Sequence, residues 1–182
     1  KRSSEKITFP GVWANSCCSH PLDLETENDG ADGVVNAAKR KLEQELGVPT
    51  EESALWTFHH IGRMEYSCRW NEDWIEREID HIMVVRADAN IDHNLNEISD
   101  VLWAGPTEVN KMMDGEGEWG DEVIAPWFRL IWENYVTPKN FDFDLIKNKI
   151  NDGIIYCGEV GMDGNPINPG QSLLDALSGH RD

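Results

Sequence analysis

The order of elements along this chain predicts a mixed α/β or α+β domain with a mixed sheet. Three observations carry that expectation. Apolar residues recur at helical spacing from Val34 to Leu46. Two stretches rich in aromatic and β-branched residues, Leu55 to Tyr66 and Trp74 to Val85, flank a polar turn. A second helical period, made by Trp127, Leu130, Ile131 and Tyr135, follows Pro126.

Each element has its own local reason. In the first helix Val34, Ala37, Ala38, Leu42 and Leu46 share a face, Gly47 stops it, and Pro49 enforces the stop. The acidic, glycine-containing stretch from Asp23 to Gly33 reads as an exposed loop ahead of it. The two strands are joined through Ser-Cys-Arg-Trp-Asn-Glu-Asp, a turn sequence that predicts a hairpin. Ile98 to Trp103 reads as a short strand, and Thr107 as the cap of a short helix running to Met113. Pro126 suits the first turn of the later helix, where its missing N–H costs nothing. From Thr137 onward Asn, Asp, Gly and Pro accumulate, and Ser172 to Ser178 reads as a short closing helix. The expected organisation is a domain over residues 1–136 and a partly irregular C-terminal extension over residues 137–182.

With 182 residues and 20.7 kDa the chain has the size of one domain. Hydrophobic residues make up 40%, enough for a core that includes several of the 8 Trp. Lys and Arg total 16 against 34 Asp and Glu, a net charge of -18, so nucleic acid and anionic membrane are disfavoured partners. An anionic substrate would need local bases or metal ions to be held at all. No apolar run approaches the roughly 20 residues of a membrane span, and no signal-peptide pattern opens the chain. The expectation is a soluble protein with free thiols at Cys17, Cys18, Cys68 and Cys157, in a reducing, cytoplasmic setting.

Three stretches hold residues suited to chemistry. Asn15-Ser16-Cys17-Cys18-Ser19-His20-Pro21 places a thiol two residues from an imidazole, both on one side of an extended backbone. A cation beside a thiol lowers its pKa and makes it a better proton carrier or nucleophile; the residues alone leave a buried, inert Cys18 equally open. Glu76, Glu78 and Asp80 line one face of the second predicted strand, and Ile82 and Val84 continue that face as apolar residues. The acids therefore sit at the mouth of something buried, as metal ligands or general acid–base groups, or else on a solvated sheet face. Lys41 and Glu45 lie four apart on the first helix next to Arg40, and taken alone they are an ordinary exposed ion pair.

Together, these stretches closely resemble type I isopentenyl-diphosphate Δ-isomerase of the eukaryotic branch. The resemblance rests on Lys6-Ile7-Thr8-Phe9-Pro10-Gly11 and Asn15 to Leu22, and then, in order, on Glu45-Leu46-Gly47-Val48, Trp74 to Asp80, and Ala125-Pro126-Trp127-Phe128. It runs from about Arg2 to Val136. The resemblance implies a Nudix-like α/β/α sandwich and interconversion of isopentenyl and dimethylallyl diphosphate in isoprenoid biosynthesis. By position it implies Cys18 as the catalytic thiol, Glu78 as the catalytic carboxylate, and Tyr66 as a phenol bordering the hydrocarbon pocket beside the indole of Trp127. Arg2, Lys6 and Lys41 fall where bases grip the diphosphate. His20, Glu76 and Glu78 fall on a site for a divalent metal (Mn2+, Mg2+ or Zn2+). Glu45 and the Cys18 carbonyl fall where Mg2+ on the diphosphate is held.

The implied reaction is a 1,3-allylic proton shift through a tertiary, carbocation-like species, a task that two groups on opposite faces can divide. The partner is a small isoprenoid diphosphate, with no nucleic acid and no membrane span; peroxisomal or other organellar placement is the alternative location. Two departures qualify the match. The family's two further His ligands fall upstream of Lys1, so the chain is expected to be a truncated form, catalytically impaired or reduced to a diphosphate-binding domain. The hydrolase box of the wider Nudix group, R-E-U-x-E-E-x-G-U, reads here Arg40-Lys41-Leu42-Glu43-Gln44-Glu45-Leu46-Gly47-Val48 and keeps only its last acid. That speaks against the alternative of a Nudix-type diphosphohydrolase, whose metals need several acids there.

Overall fold

The computed structural model describes residues 1–148 and 153–167. Helices pack with a three-stranded mixed sheet, in the α/β class predicted above.

The first helix, α1, spans Gly30–Leu46 and so begins four residues ahead of the apolar period. Its first turn is docked on the preceding loop: Gly33 donates its N–H to the Asp29 carbonyl, and a Cβ at Gly33 would stand 2.4 Å from the Glu27 oxygen. Only a glycine permits that approach, and the contact is tertiary rather than periodic. The helix ends at Gly47 in the left-handed region, φ 68°, where the turned-back N–H bonds Glu43 and Leu42 carbonyls. Leu42, Leu46 and Val48 then bury against Trp56, Phe58 and Ile91.

A short helix α2, Thr50–Ser53, precedes the predicted strand, and the turn that follows it takes up the strand's first residues, with Leu55 turned outward. Strand β1 therefore runs over His59–Arg69 and pairs antiparallel with β2, Ile75–Val84. The register sets Tyr66 opposite Glu78, Cys68 opposite Glu76 and Met64 opposite Asp80, so these side chains share one face. A bulge between His60 and Gly62 lets the hairpin pass the ring of Tyr135. The third strand, β3, Ile154–Val160, pairs parallel with β1, giving the order β2-β1-β3. The stretch after Thr137 thus contributes a strand to the central sheet, with Val160 in the main core.

After β2, helix α3 spans Pro106–Asp114. Gly105 holds its capping position and Thr107 lies inside the first turn, because Pro106 is the residue preset for helix entry. The predicted strand at Ile98 to Trp103 is not formed. Ile98 and Val101 pack partly buried on the Leu42, Leu46 and Val48 cluster, but Ile98 makes only a single bridge, to Arg2, and Leu102 and Trp103 are exposed, so no strand partner runs along the segment. Helix α4, Pro126–Ile131, starts at its proline as expected and widens into a π-helical turn over Trp132–Val136. That turn swings Tyr135 inward, where its hydroxyl donates to the Arg63 carbonyl at 2.8 Å. One further turn, α5, spans Phe143–Ile146.

The main core gathers Phe9, Ile61, Met64, Tyr66, Trp127, Tyr135 and Val160 between the inner sheet face and α4. Among the described residues no helix is long and apolar enough to cross a membrane. The four cysteines are free thiols, as expected. The predicted helix at Ser172 to Ser178 lies outside the described residues.

Candidate active site

The loop from Asn15 to Pro21 lies at the edge of the inner sheet face. Asn15 Nδ2 donates to the Cys17 carbonyl at 2.8 Å, which bends the loop and turns Cys18 onto the core. Burial, and then the nearby Asp80 and Glu78 carboxylates, push the Cys18 thiol well above its ordinary pKa, outweighing the Arg2 charge. The lowering expected from a neighbouring cation is therefore reversed, and Cys18 is a neutral S–H at physiological pH. His20 turns the other way from the core, exposed for most of its side chain, and its Nε2 stands 3.0 Å from Glu78 Oε1.

Glu78 is the hub of the inner face of β2. Besides His20, it faces Tyr66, whose hydroxyl donates to Glu78 Oε2 across a long 3.4 Å. Tyr66 is 1% exposed, and burial followed by the charge of Glu78 pushes its phenol far up, so it remains a neutral donor. Glu76 is raised by burial first, against a lowering hydrogen bond from Thr8. Asp80 is pushed up to about 7, again by burial first and by Glu78 next. Three carboxyls on one half-buried face thus favour a shared proton or a cation among them.

The indole of Trp127 is 1% exposed and closes the site opposite the carboxylates. Its Nε1 donates to Asn15 Oδ1 at 3.0 Å, and its ring stands edge-on to Phe9 with centroids 5.1 Å apart. The Arg2 guanidinium lies 5.4 Å from the ring centroid and donates to the carbonyls of Phe9 and Thr8, each at 2.9 Å. The other two bases are ion-paired within the chain, Lys41 with Glu45 at 3.0 Å and Lys6 with Glu97.

Two cavities meet at this point. A polar one of about 430 Å³ is walled by Arg2, Lys6, Lys41, Glu45, Glu76 and Glu97. A larger one of about 670 Å³ runs along β2 and α1, and the two share Cys18, Ser19, His20, Glu78 and Trp127 as their common wall. Of the residues singled out from the sequence, Arg2, Lys6, Cys18, His20, Lys41, Glu45, Glu76, Glu78 and Trp127 all reach the polar cavity. Tyr66 lies beneath it, in the core, under Glu78. Among the described residues no three His, Cys, Asp or Glu side chains converge as a ready metal cage; His20 and Glu78 are a two-donor pair.

Three contributors went unassigned in the sequence. Asp80 was visible by its period-two spacing with Glu76 and Glu78, and its burial is what gives it weight. Asn15 and Glu97 carry no local signal, since their partners are 112 and 91 residues away along the chain.

No protein-family model matches this chain. Individual relatives do. An isopentenyl-diphosphate delta-isomerase of Gibberella zeae is 40% identical over 136 residues, which is 72% of this chain and 52% of that protein. One from Dictyostelium discoideum is 40% identical over 144 residues, 76% of this chain and 60% of that protein. Isopentenyl-diphosphate Delta-isomerase II of Camptotheca acuminata is 39% identical over 140 residues, 75% of this chain and 45% of its own length. The chain spans about half the length of the curated relatives it matches. Such identity, sustained over some three quarters of its residues, makes this chain similar to isopentenyl-diphosphate delta-isomerases across the region that holds the site.

Proposed function

We propose that the chain interconverts isopentenyl and dimethylallyl diphosphate by a 1,3-allylic proton shift, with Cys18 and Glu78 as the proton-handling pair, in a cytoplasmic setting. The observation that carries this reading is the shared wall: a thiol, a carboxylate and an indole stand where a base-lined cavity meets an apolar one. A small diphosphate with a hydrocarbon tail has that same division.

The diphosphate would lie toward Lys6, Lys41 and Arg2, placing the alkene between Cys18 and Glu78. Protonating an unactivated alkene needs a proton source kept out of bulk water, and the neutral Cys18 thiol and the carboxyls around Glu78 are such sources. The Tyr66 hydroxyl, hydrogen-bonded to Glu78, would steady whichever carboxyl oxygen takes or gives the proton. Positive charge developing at the tertiary carbon would face the Trp127 ring, which attracts a cation without offering a lone pair to trap it. The packing of Trp127 against Phe9 and Tyr66 keeps water off that face, where it would convert the cation to an alcohol.

Two divalent cations belong to the same reading. His20 and Glu78, with Glu76 alongside, would hold one, and Glu45 with the Cys18 carbonyl would hold Mg2+ on the diphosphate. The crowding of raised carboxyls and the Lys41–Glu45 pair suit a cation at each place. Such ions would supply positive charge beside the reacting carboxyls and offset the phosphate charge in a chain of net charge -18.

The test is incubation with isopentenyl diphosphate and divalent metal, reading dimethylallyl product. Cys18→Ala and Glu78→Gln should each lower turnover by about 10²–10⁴. Full activity in either variant sinks its assigned role, and release of phosphate would point to hydrolysis instead.

A further inference from the structure

The loop that carries Cys18 and His20 is fastened on both sides. Before the thiol, Asn15 holds the Cys17 carbonyl. After it, the chain is docked on one stripe of α1 made by Gly33, Asn36 and Arg40, residues three and four apart on the helix. Gly33 admits the Glu27 backbone, and Asn36 Nδ2 donates to the Thr26 carbonyl at 2.7 Å. Arg40 does the rest. Its Nε and Nη2 donate to the two oxygens of Glu27 at 2.6 and 2.9 Å, and Nη2 donates also to the His20 carbonyl at 3.2 Å. Glu27 in turn accepts the Leu22 N–H at 2.7 Å. Glu27 is 6% exposed, and the guanidinium first and that N–H next hold its carboxyl well below the usual carboxylate range. A buried carboxylate with both oxygens met by donors is a fixed point of the fold and unlike a surface ion pair.

We propose that Arg40 and Glu27 are a positioning pair for the candidate active site, pinning the backbone of His20 and Leu22 to α1 so that the His20 ring meets Glu78 and Cys18 keeps its place on the core. The proposal rests on the isomerase reading of that site and adds two residues to it. Neither side chain lines the base-lined cavity or the larger one beside it, so the pair acts on a ligand there only through the loop. A direct grip on phosphate, the other task for an arginine beside Lys41, is disfavoured because all three guanidinium nitrogens are engaged within the chain, Nη1 by Gln44 at 3.3 Å.

The experiment compares Glu27→Gln, Arg40→Lys and their double variant with Asn36→Ala, which loosens the same loop at Thr26 and leaves His20 held. Both replacements in the pair are close in shape, and either one that keeps a cooperative thermal transition suffices. NMR of the His20 ring, assigned through His20→Gln, reads the shift that Glu78→Gln causes in each background. That shift reports the contact of His20 with Glu78 and needs no turnover. It should be clear in the parent and in Asn36→Ala, and fall by about half or more in Glu27→Gln and Arg40→Lys. In turnover of isopentenyl diphosphate, a loop displaced by on the order of 1 Å should lower kcat about 10–10²-fold, with KM within about twofold because Lys6 and Lys41 are untouched. The double variant should fall no further than the worse single, as two halves of one unit do. A ring shift absent in the parent, unchanged in the pair variants, or equally lost in Asn36→Ala would overturn the proposal. So would a lowered KM in Glu27→Gln beside a raised one in Arg40→Lys, which would make Arg40 a phosphate ligand. A parent without turnover would overturn the isomerase reading, and the ring shift would still decide the pair.

Discussion

Replacing Trp127 with Phe separates what the indole does for the fold from what it does for the reaction. The side chain is 1% exposed, and its N–H is held by Asn15 Oδ1 at 3.0 Å, across 112 residues of chain. Losing that bond forfeits about 0.5–1.5 kcal/mol and leaves the Asn15 oxygen short of a donor. The smaller ring leaves a void in contact with Phe9 and Tyr66, adding about 1–2 kcal/mol at ~24 cal/mol per Å³. The sum is about 1.5–3.5 kcal/mol, or a fall in Tm of about 3–14 °C for a chain of this size. Urea unfolding of Trp127→Phe, Asn15→Ala and the double variant should show a coupling of about 1 kcal/mol. If the two losses add within about 0.5 kcal/mol, the bond does not organise the site. In turnover, loss of indole attraction for the developing cation should lower kcat about tenfold with KM little changed. A raised KM at unchanged kcat would refute the role given to the ring.

Three other outcomes follow from the same geometry. Gly62→Ala puts a Cβ 2.6 Å from Tyr135 Cε1, in a ring tied to the Arg63 carbonyl, and should cost about 1–3 kcal/mol in thermal or urea unfolding; a neutral result would mean Tyr135 moves freely. His81 stacks on His60 with centroids 5.0 Å apart, and burial, then His60 and Arg63, lower its pKa. Its neutral ring therefore contributes fully above the unfolded pKa of about 6.5, and that contribution is lost as pH falls through the lower folded value. Tm should drop between about pH 7 and 5, and His81→Phe should flatten the drop; an unchanged slope would remove His81 as its cause. Glu97→Gln releases Lys6 toward the cavity and should tighten diphosphate binding by about two- to fivefold, whereas weaker binding by calorimetry would show that Glu97 itself holds the ligand.

How much of this was legible beforehand depends on the distance over which each feature is decided. The body of α1 and its stop at Gly47 were visible because period and cap are local; its start was not, since Gly33 is placed by contact with Glu27. The acidic face of β2 was visible because strand period two is local, and the register with β1 then followed from the hairpin. β3 was missed because a parallel partner is chosen through a long connection, and Ile-Ile-Tyr-Cys-Gly-Glu-Val says nothing by itself of where it pairs. Ile98 to Trp103 misled for a related reason: its β-branched Ile98 and Val101 pack on the cluster of Leu42, Leu46 and Val48, but only one bridge, to Arg2, forms, so the segment gains no ladder partner.

For the site, the residues and their resemblance already named the thiol, the imidazole, the acids and the bases, because residue type and motif spacing are properties of the chain. Their states were decided elsewhere. That Cys18 remains a neutral thiol follows from burial beside Asp80 and Glu78, charges from a strand some 60 residues away. That Lys6 and Lys41 are held by Glu97 and Glu45, that Asn15 anchors Trp127, and that the base-lined cavity shares a wall with a larger, more apolar one are likewise products of packing. Sequence alone determined which chemical groups this protein carries; only the tertiary structure decided their protonation, their partners and the room left beside them, because each depends on dielectric and contact at a distance no local pattern records.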